Sequence, residues 1–187
     1  NADFLRSHHI NGPLPRFQEL RLHLQPRTYT MSQVVAQVNV STDLVVSHRW
    51  FTPKQPDPNG EQLAHIQKYL RDHPLVERVW YDYWCMPQGE RTPAERVAFK
   101  HMLTNVNLLY LGCRTLVLID ISYLSRFWTQ FEAWLSMQEG STAGLRAAAP
   151  SRRRCAMRCL HNATEGTEDG KLTSMWQAVT PAEAHAL

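Results

Sequence analysis

The segment Arg114-Thr-Leu-Val-Leu-Ile-Asp120 constrains the fold of this chain more than any other. Neighbouring side chains of a strand point to opposite faces, so an unbroken apolar run needs cover on both sides. Strands of that kind belong to parallel sheets clothed by helices on each face. Asp43-Leu-Val-Val-Ser47, short and β-branched, is a second buried strand, and Val79-Trp-Tyr-Asp82 a third.

Helical signals lie between these runs. Leu63, Ile66 and Leu70 recur at helical spacing over residues 60–72, ahead of Pro74. Thr92-Pro-Ala-Glu95 opens a helix with Thr as cap, Pro in the first position and Glu three residues after the cap. Ala98, Met102, Val106 and Leu109 mark one face of it, and Gly112 supplies its stop. A third helix spans about 124–138. On its wheel Phe127, Trp128, Phe131, Trp134 and Leu135 share one broad arc, with Glu132 at the border.

Residues 1–42 read as an N-terminal arm, irregular to about residue 30 apart from one short helix or strand, with a helix or edge strand at 34–40. Residues 139–151 read as a Gly/Ala/Ser linker, 155–160 as a fourth strand, and 171–178 and 181–187 as helical. Alternating strands and helices predict an α/β domain over 43–187 with a doubly wound parallel sheet of four to five strands. Ligands of such sheets bind outside the carboxyl ends of the strands. The segments following the first three strands, Ser47 to Trp50, Asp82 to Gln88 and Asp120 to Glu132, should therefore converge.

Composition narrows the function classes. The net charge of +3 is too small to argue for nucleic acid, and Arg152-Arg153-Arg154 reads as solvated surface. No apolar run approaches the roughly 20 residues that span a bilayer. Cys85, Cys113, Cys155 and Cys159 follow no signal peptide and form no dense framework, which points to reduced thiols in a cytoplasmic setting. Cys155-x3-Cys159-x-His161 has metal-ligand flavour, but no second ligand pair has recognisable spacing, so no metal is expected.

Each strand end carries residues with two readings. A carboxylate beside indole rings, like Glu132, is desolvated and becomes harder to ionise, which suits acid, base or charge-stabilising work. The same residue also serves as a rim glutamate on a core helix. Ser47-His48-Arg49-Trp50 offers a hydroxyl, an imidazole, a guanidinium for phosphate and an indole for stacking a base. Alternatively, Trp50 plugs the core and Arg49 makes a structural ion pair. Asp82 binds ribose hydroxyls, orients His48, or caps a turn. Cys85 is a nucleophile or, more commonly for such a residue, a buried structural thiol.

Together these blocks resemble the HET (heterokaryon incompatibility) domain. The resemblance rests on Ser47-His-Arg-Trp50, then Trp80-x-Asp82-x-x-Cys85-x-x-Gln88, then Arg126-x-Trp128-Thr129-x-x-Glu132, with the helix from Glu95 to Met102 between. Met86-Pro87 stands where the family usually has Ile-Asn or Ile-Asp. HET domains are themselves similar to TIR domains, whose helix motif places a catalytic Glu four residues after a Trp, as Glu132 follows Trp128. The resemblance covers roughly residues 43–138 and implies a TIR/flavodoxin-like sheet in an intracellular signalling, innate-immune or cell-death module.

That resemblance further implies cleavage of the nicotinamide–ribose bond of NAD⁺ without metal or auxiliary cofactor. Glu132 would hold the ribose and stabilise an oxocarbenium-like transition state, and Trp128 or Trp84 would stack the nicotinamide. Arg49 and Arg126 would offset the diphosphate, and His48 and Asp82 would orient the sugar. Ser47, Trp50, Cys85 and Gln88 complete the expected lining. Two other readings stay open: a self-associating interaction domain without catalysis, whose assembly loops would be 53–58 and 83–93, and a domain that senses NAD⁺ or ADP-ribose without turnover.

Overall fold

The computed structural model describes residues 1–7, 15–161 and 163–176. Its centre is a four-stranded parallel sheet of β1 (Asp43–His48), β2 (Arg78–Trp80), β3 (Arg114–Ile119) and β6 (Cys155–Cys159), in the spatial order β2-β1-β3-β6. All three pairings are parallel. Every residue of β1, and all of β3 beyond Arg114, is buried, as strands apolar on both faces require.

The chain crosses from β1 to β2 through α3 (Glu61–Asp72) on one face. It returns past β1 to β3 through α5 (Pro93–Asn105) and α6 (Asn107–Gly112) on the other. Leu44, Val46, Leu116 and Leu118 pack with Leu63, Ile66 and Leu70 of α3. Val45, Val117 and Ile119 point the opposite way, among Leu109 and Tyr110 of α6, Ala133, Trp134 and Leu135 of α7 (Phe127–Ser136), and Leu172 of α8 (Glu168–Trp176). Successive crossovers thus run in opposite directions on opposite faces, the arrangement of a doubly wound sheet. The winding reverses beside β1, so the β1/β3 boundary is the topological switch point.

Several segments depart from the sequence reading. The helix opened by Thr92 forms with its capping box intact, but it breaks at Val106 into α5 and α6. The expected face is buried only towards α6: Ala98 and Met102 of α5 are exposed, Val106 is half-buried, and Leu109 of α6 lies in the core. Residues 139–151, expected as a linker, instead form an antiparallel hairpin of β4 (Gln138–Ser141) and β5 (Gly144–Ala147), then a short 3-10 turn. Glu139 is buried there and pairs with Arg146 and Arg152, ties that a polar composition alone conceals. The strand expected to run to Asp82 ends at Trp80, and Asp82 joins Tyr83 to Cys85, expected as the start of a loop, in the single-turn α4 (Asp82–Cys85).

The described part of 1–42 belongs to the core rather than trailing from it. Ala2 and Leu5 of α1 (Ala2–Ser7) and Leu20 are buried against α3 and α4, and Arg6 bonds the carbonyls of Leu70, His73 and Val76. Residues 31–36 form α2 (Met31–Ala36), whose Val34 packs on Gly112. A Cβ at Gly112 would lie 2.9 Å from Val34 Cγ2, so this contact needs glycine. The helix expected over 181–187 and the end of the one over 171–178 lie outside the described residues.

Candidate functional site

The largest correction to the sequence reading concerns α7. Its aromatic arc does not face the sheet. Phe127 and Trp128 are 64% and 68% exposed, because the first turn of the helix projects past the strand ends. At about 100° per residue, the inward side instead carries Thr129, Glu132, Ala133 and Ser136. Thr129, Ala133 and Ser136 are small and buried, which lets the helix lie close on the sheet. Glu132 travels on that stripe to the carboxyl end of β1. Only the second half of the arc, Trp134 and Leu135, is core.

There the Glu132 carboxylate accepts a 2.5 Å hydrogen bond from Ser47 Oγ and another from the Tyr110 hydroxyl. Ser47 Oγ lies 2.7 Å from the Tyr123 hydroxyl, which in turn donates to the Thr129 carbonyl at 2.8 Å. Burial pushes the Glu132 pKa up to about 7. Ser47, His48 and Tyr110 oppose that rise, whereas the nearby Asp82 charge adds to it.

Asp82, the first residue of α4, heads a second cluster. Its Oδ1 pairs with His48 Nε2 at 2.9 Å and accepts from the Tyr83 amide, and its Oδ2 accepts from Trp50 Nε1 at 2.7 Å. Burial works to raise the Asp82 pKa, but His48, the Trp50 indole and the Tyr83 amide outweigh it and hold the carboxyl below its usual value. His48 stacks on Tyr81 at 4.0 Å, and its buried Nδ1 has no hydrogen-bond partner among the described residues.

Thus Ser47, His48, Trp50, Asp82 and Glu132 meet at the ends of β1, β2 and β3, next to the switch point. Comparisons with protein families, curated proteins and solved structures found no match. The remaining residues singled out in the sequence lie differently. Arg49 is held by Asp120 at 2.5 Å and by the carbonyl of Trp50, a structural ion pair at the end of β3. Arg126 occupies the position before α7 without a capping side-chain hydrogen bond and is exposed.

Trp84 is 3% exposed in the core under α1 and Leu20, with no acceptor for its indole nitrogen among the described residues, so no base can stack on it in this conformation. Cys85 packs beside it, and burial drives its thiol pKa up to about 11, which disfavours the nucleophilic thiolate. Gln88 bonds the carbonyls of Asp82 and Met86 and so shapes the loop.

Tyr110 and Tyr123 were not expected at the site. Both looked like ordinary apolar-helix and loop tyrosines. Their one clue is that a buried tyrosine needs a partner for its hydroxyl. A cavity of about 240 Å³ lies elsewhere, lined by Met137, Arg153, Cys155, Met157, Asp169 and Thr173. Among the described residues, no group of three or more His, Cys, Asp or Glu side chains could hold a metal ion. No described helix is long and apolar enough to cross a membrane.

Proposed function

We propose that the protein is a TIR/HET-like intracellular signalling domain that cleaves the nicotinamide–ribose bond of NAD⁺. One observation carries the reading: a glutamate with a pKa near neutrality at the switch point of a parallel α/β sheet, one turn after an outward-facing Trp128. The β2-β1-β3-β6 order is compatible with a TIR/flavodoxin-like sheet, and four unpaired cysteines suit a reducing, cytoplasmic setting.

In this reaction the glycosidic C–N bond breaks, and nicotinamide leaves as a neutral base with the bonding pair. The sugar passes through an oxocarbenium-like state, and water adds at the anomeric carbon. A carboxylate already stripped of water gains most from a cation forming beside it, so Glu132 stabilises the transition state more than the ground state. It can then take the proton released by the attacking water. His48 and Asp82 orient the sugar, with Asp82 fixing the imidazole through Nε2. Trp128 stacks the nicotinamide, and Arg126, rather than the occupied Arg49, meets the diphosphate.

A second reading is a self-associating interaction domain without catalysis, or one that senses the nucleotide. It is favoured by the large apolar side chains left exposed on two helices, Val97 and Leu103 of α5 and Phe127 and Trp128 of α7.

Nicotinamide release from NAD⁺, followed at high protein concentration, separates these readings. Glu132→Gln and Glu132→Ala should slow release about 10²–10³-fold, the usual cost of losing a transition-state charge partner. Equal release by all three proteins, or none by any, rejects cleavage. Calorimetric binding without turnover would mark a sensor. Oligomers that ignore nucleotide would mark an interaction domain.

A further inference from the structure

The chain of hydroxyls behind Glu132 has a direction. Three oxygens stand in line, Glu132 Oε2, Ser47 Oγ and Tyr123 Oη, separated by 2.5 and 2.7 Å, with the Thr129 carbonyl 2.8 Å beyond the last. Ser47 and Tyr123 are fully buried, so water cannot serve either hydroxyl. Each hydroxyl has one hydrogen to give.

We propose that Tyr123 is a positioning residue that governs the protonation of Glu132 through Ser47, by a hydrogen-bond chain that reverses when Glu132 gains or loses its proton. When Glu132 is protonated it donates to Ser47, Ser47 donates to Tyr123, and Tyr123 donates to the Thr129 carbonyl. Three bonds form and no hydrogen is stranded. When Glu132 is ionised, Ser47 must donate to the carboxylate. Two lone pairs would then face each other across 2.7 Å unless Tyr123 turns its hydrogen from Thr129 to Ser47. The ionised state keeps two bonds of the chain and releases the carbonyl.

Tyr123 therefore supports the protonated form with two bonds and the ionised form with one. Loss of its hydroxyl should make Glu132 more acidic. The other groups facing Glu132 act independently of this chain: Tyr110 on α6 donates to it, His48 on β1 favours its charge, and Asp82 on α4 opposes it. The chain also ends on α7 itself, since Thr129 Oγ1 bonds the Tyr123 carbonyl at 2.7 Å. The proton on Glu132 is thereby tied to the turn that carries Trp128. The role in catalysis rests on the NAD⁺-cleavage reading, but the relay does not.

The test is a carbon-13 NMR titration of the Glu132 carboxyl in wild type, Tyr123→Phe, Ser47→Ala and the double variant. Tyr123→Phe should lower the midpoint by about half to one pH unit, the worth of one hydrogen bond. The same change made in Ser47→Ala should shift nothing, because the link is already cut. In wild type, the Thr129 carbonyl shift should titrate with the midpoint of Glu132, a readout that survives if Tyr123→Phe does not fold. A Thr129 carbonyl that stays flat, no shift in Tyr123→Phe, or an equal shift in both backgrounds overturns the relay. If cleavage is detected, its pH profile should move with the midpoint. A midpoint that moves as expected, in a protein that releases no nicotinamide, supports the relay and removes the cleavage reading alone.

Discussion

Asp82 and Glu132 stand at neighbouring corners of the same sheet edge, and burial works to raise the pKa of both. Yet one carboxyl is held below its usual value and the other is pushed up to about 7. The difference lies in the donors. Asp82 receives an indole N–H, a backbone N–H and an imidazole nitrogen, all of them fixed by the chain. Glu132 receives only hydroxyls, which can turn and accept as readily as donate, and it also feels the charge of Asp82. At similar depth, rigid N–H donors fix a carboxylate as a structural anion, whereas hydroxyls leave it poised between two states. The Asp82 corner builds the site, and the Glu132 corner is left to react.

The largest effect expected from this contrast is at Asp82. Replacement by Ala strands the Trp50 indole N–H and His48 Nε2 and should cost about 3 kcal/mol at neutral pH. Some of that is trimmed because 31% of the Asp82 side chain meets solvent. The folded-state pKa is depressed, so this stability is present above the unfolded value and fades as pH falls through the folded one. Urea unfolding of Asp82→Ala and wild type should therefore converge in acid. A constant gap from pH 7 to pH 3 would contradict the account of Asp82 as a fixed anion.

Glu132 should behave in the opposite sense. Its folded-state pKa is raised, so between 4.5 and about 7 the folded protein holds its proton more tightly than the unfolded chain. Stability contributed there declines as pH rises. Glu132→Gln carries no charge to desolvate and should exceed wild type by about 2 kcal/mol at pH 8, after about 1 kcal/mol is deducted for a poorer fit to Ser47 and Tyr110. Below about pH 4.5 the excess should give way to a deficit of about 1 kcal/mol, the poorer fit alone. A variant that is less stable than wild type at pH 8 would place Glu132 with Asp82, as a structural group.

The sheet was legible in the sequence because β1 and β3 are apolar on both faces, and only one arrangement covers both. The meeting of Ser47, His48, Trp50 and Asp82 followed from that topology alone. The orientation of α7 did not. A wheel ranks positions by hydrophobicity, and it missed that Thr129, Ala133 and Ser136, being small, lie closest to the sheet. The hairpin over 138–147 was hidden for a related reason: Glu139 is buried by pairing with Arg146 across the hairpin and with Arg152 beyond it. Trp84 was mistaken for a site residue because the sequence does not show that α1 and Leu20 fold over it.

The smallest expected effect on stability tests the orientation on which the contrast depends. If Thr129, Glu132 and Ser136 face the sheet, Trp128 faces solvent, and its loss removes little buried area. Trp128→Ala should change the unfolding free energy by less than about 0.5 kcal/mol, as for other surface substitutions. Its effect belongs in binding. Stacking on an aromatic ring is worth roughly 1–3 kcal/mol per base, so under the proposed cleavage of NAD⁺ the variant's KM should rise about tenfold or more while kcat changes little. A loss of several kcal/mol in stability would instead mean that the aromatic arc packs inward. Glu132 would then lie at the rim of α7, out of reach of Ser47, and the two corners would no longer share an edge.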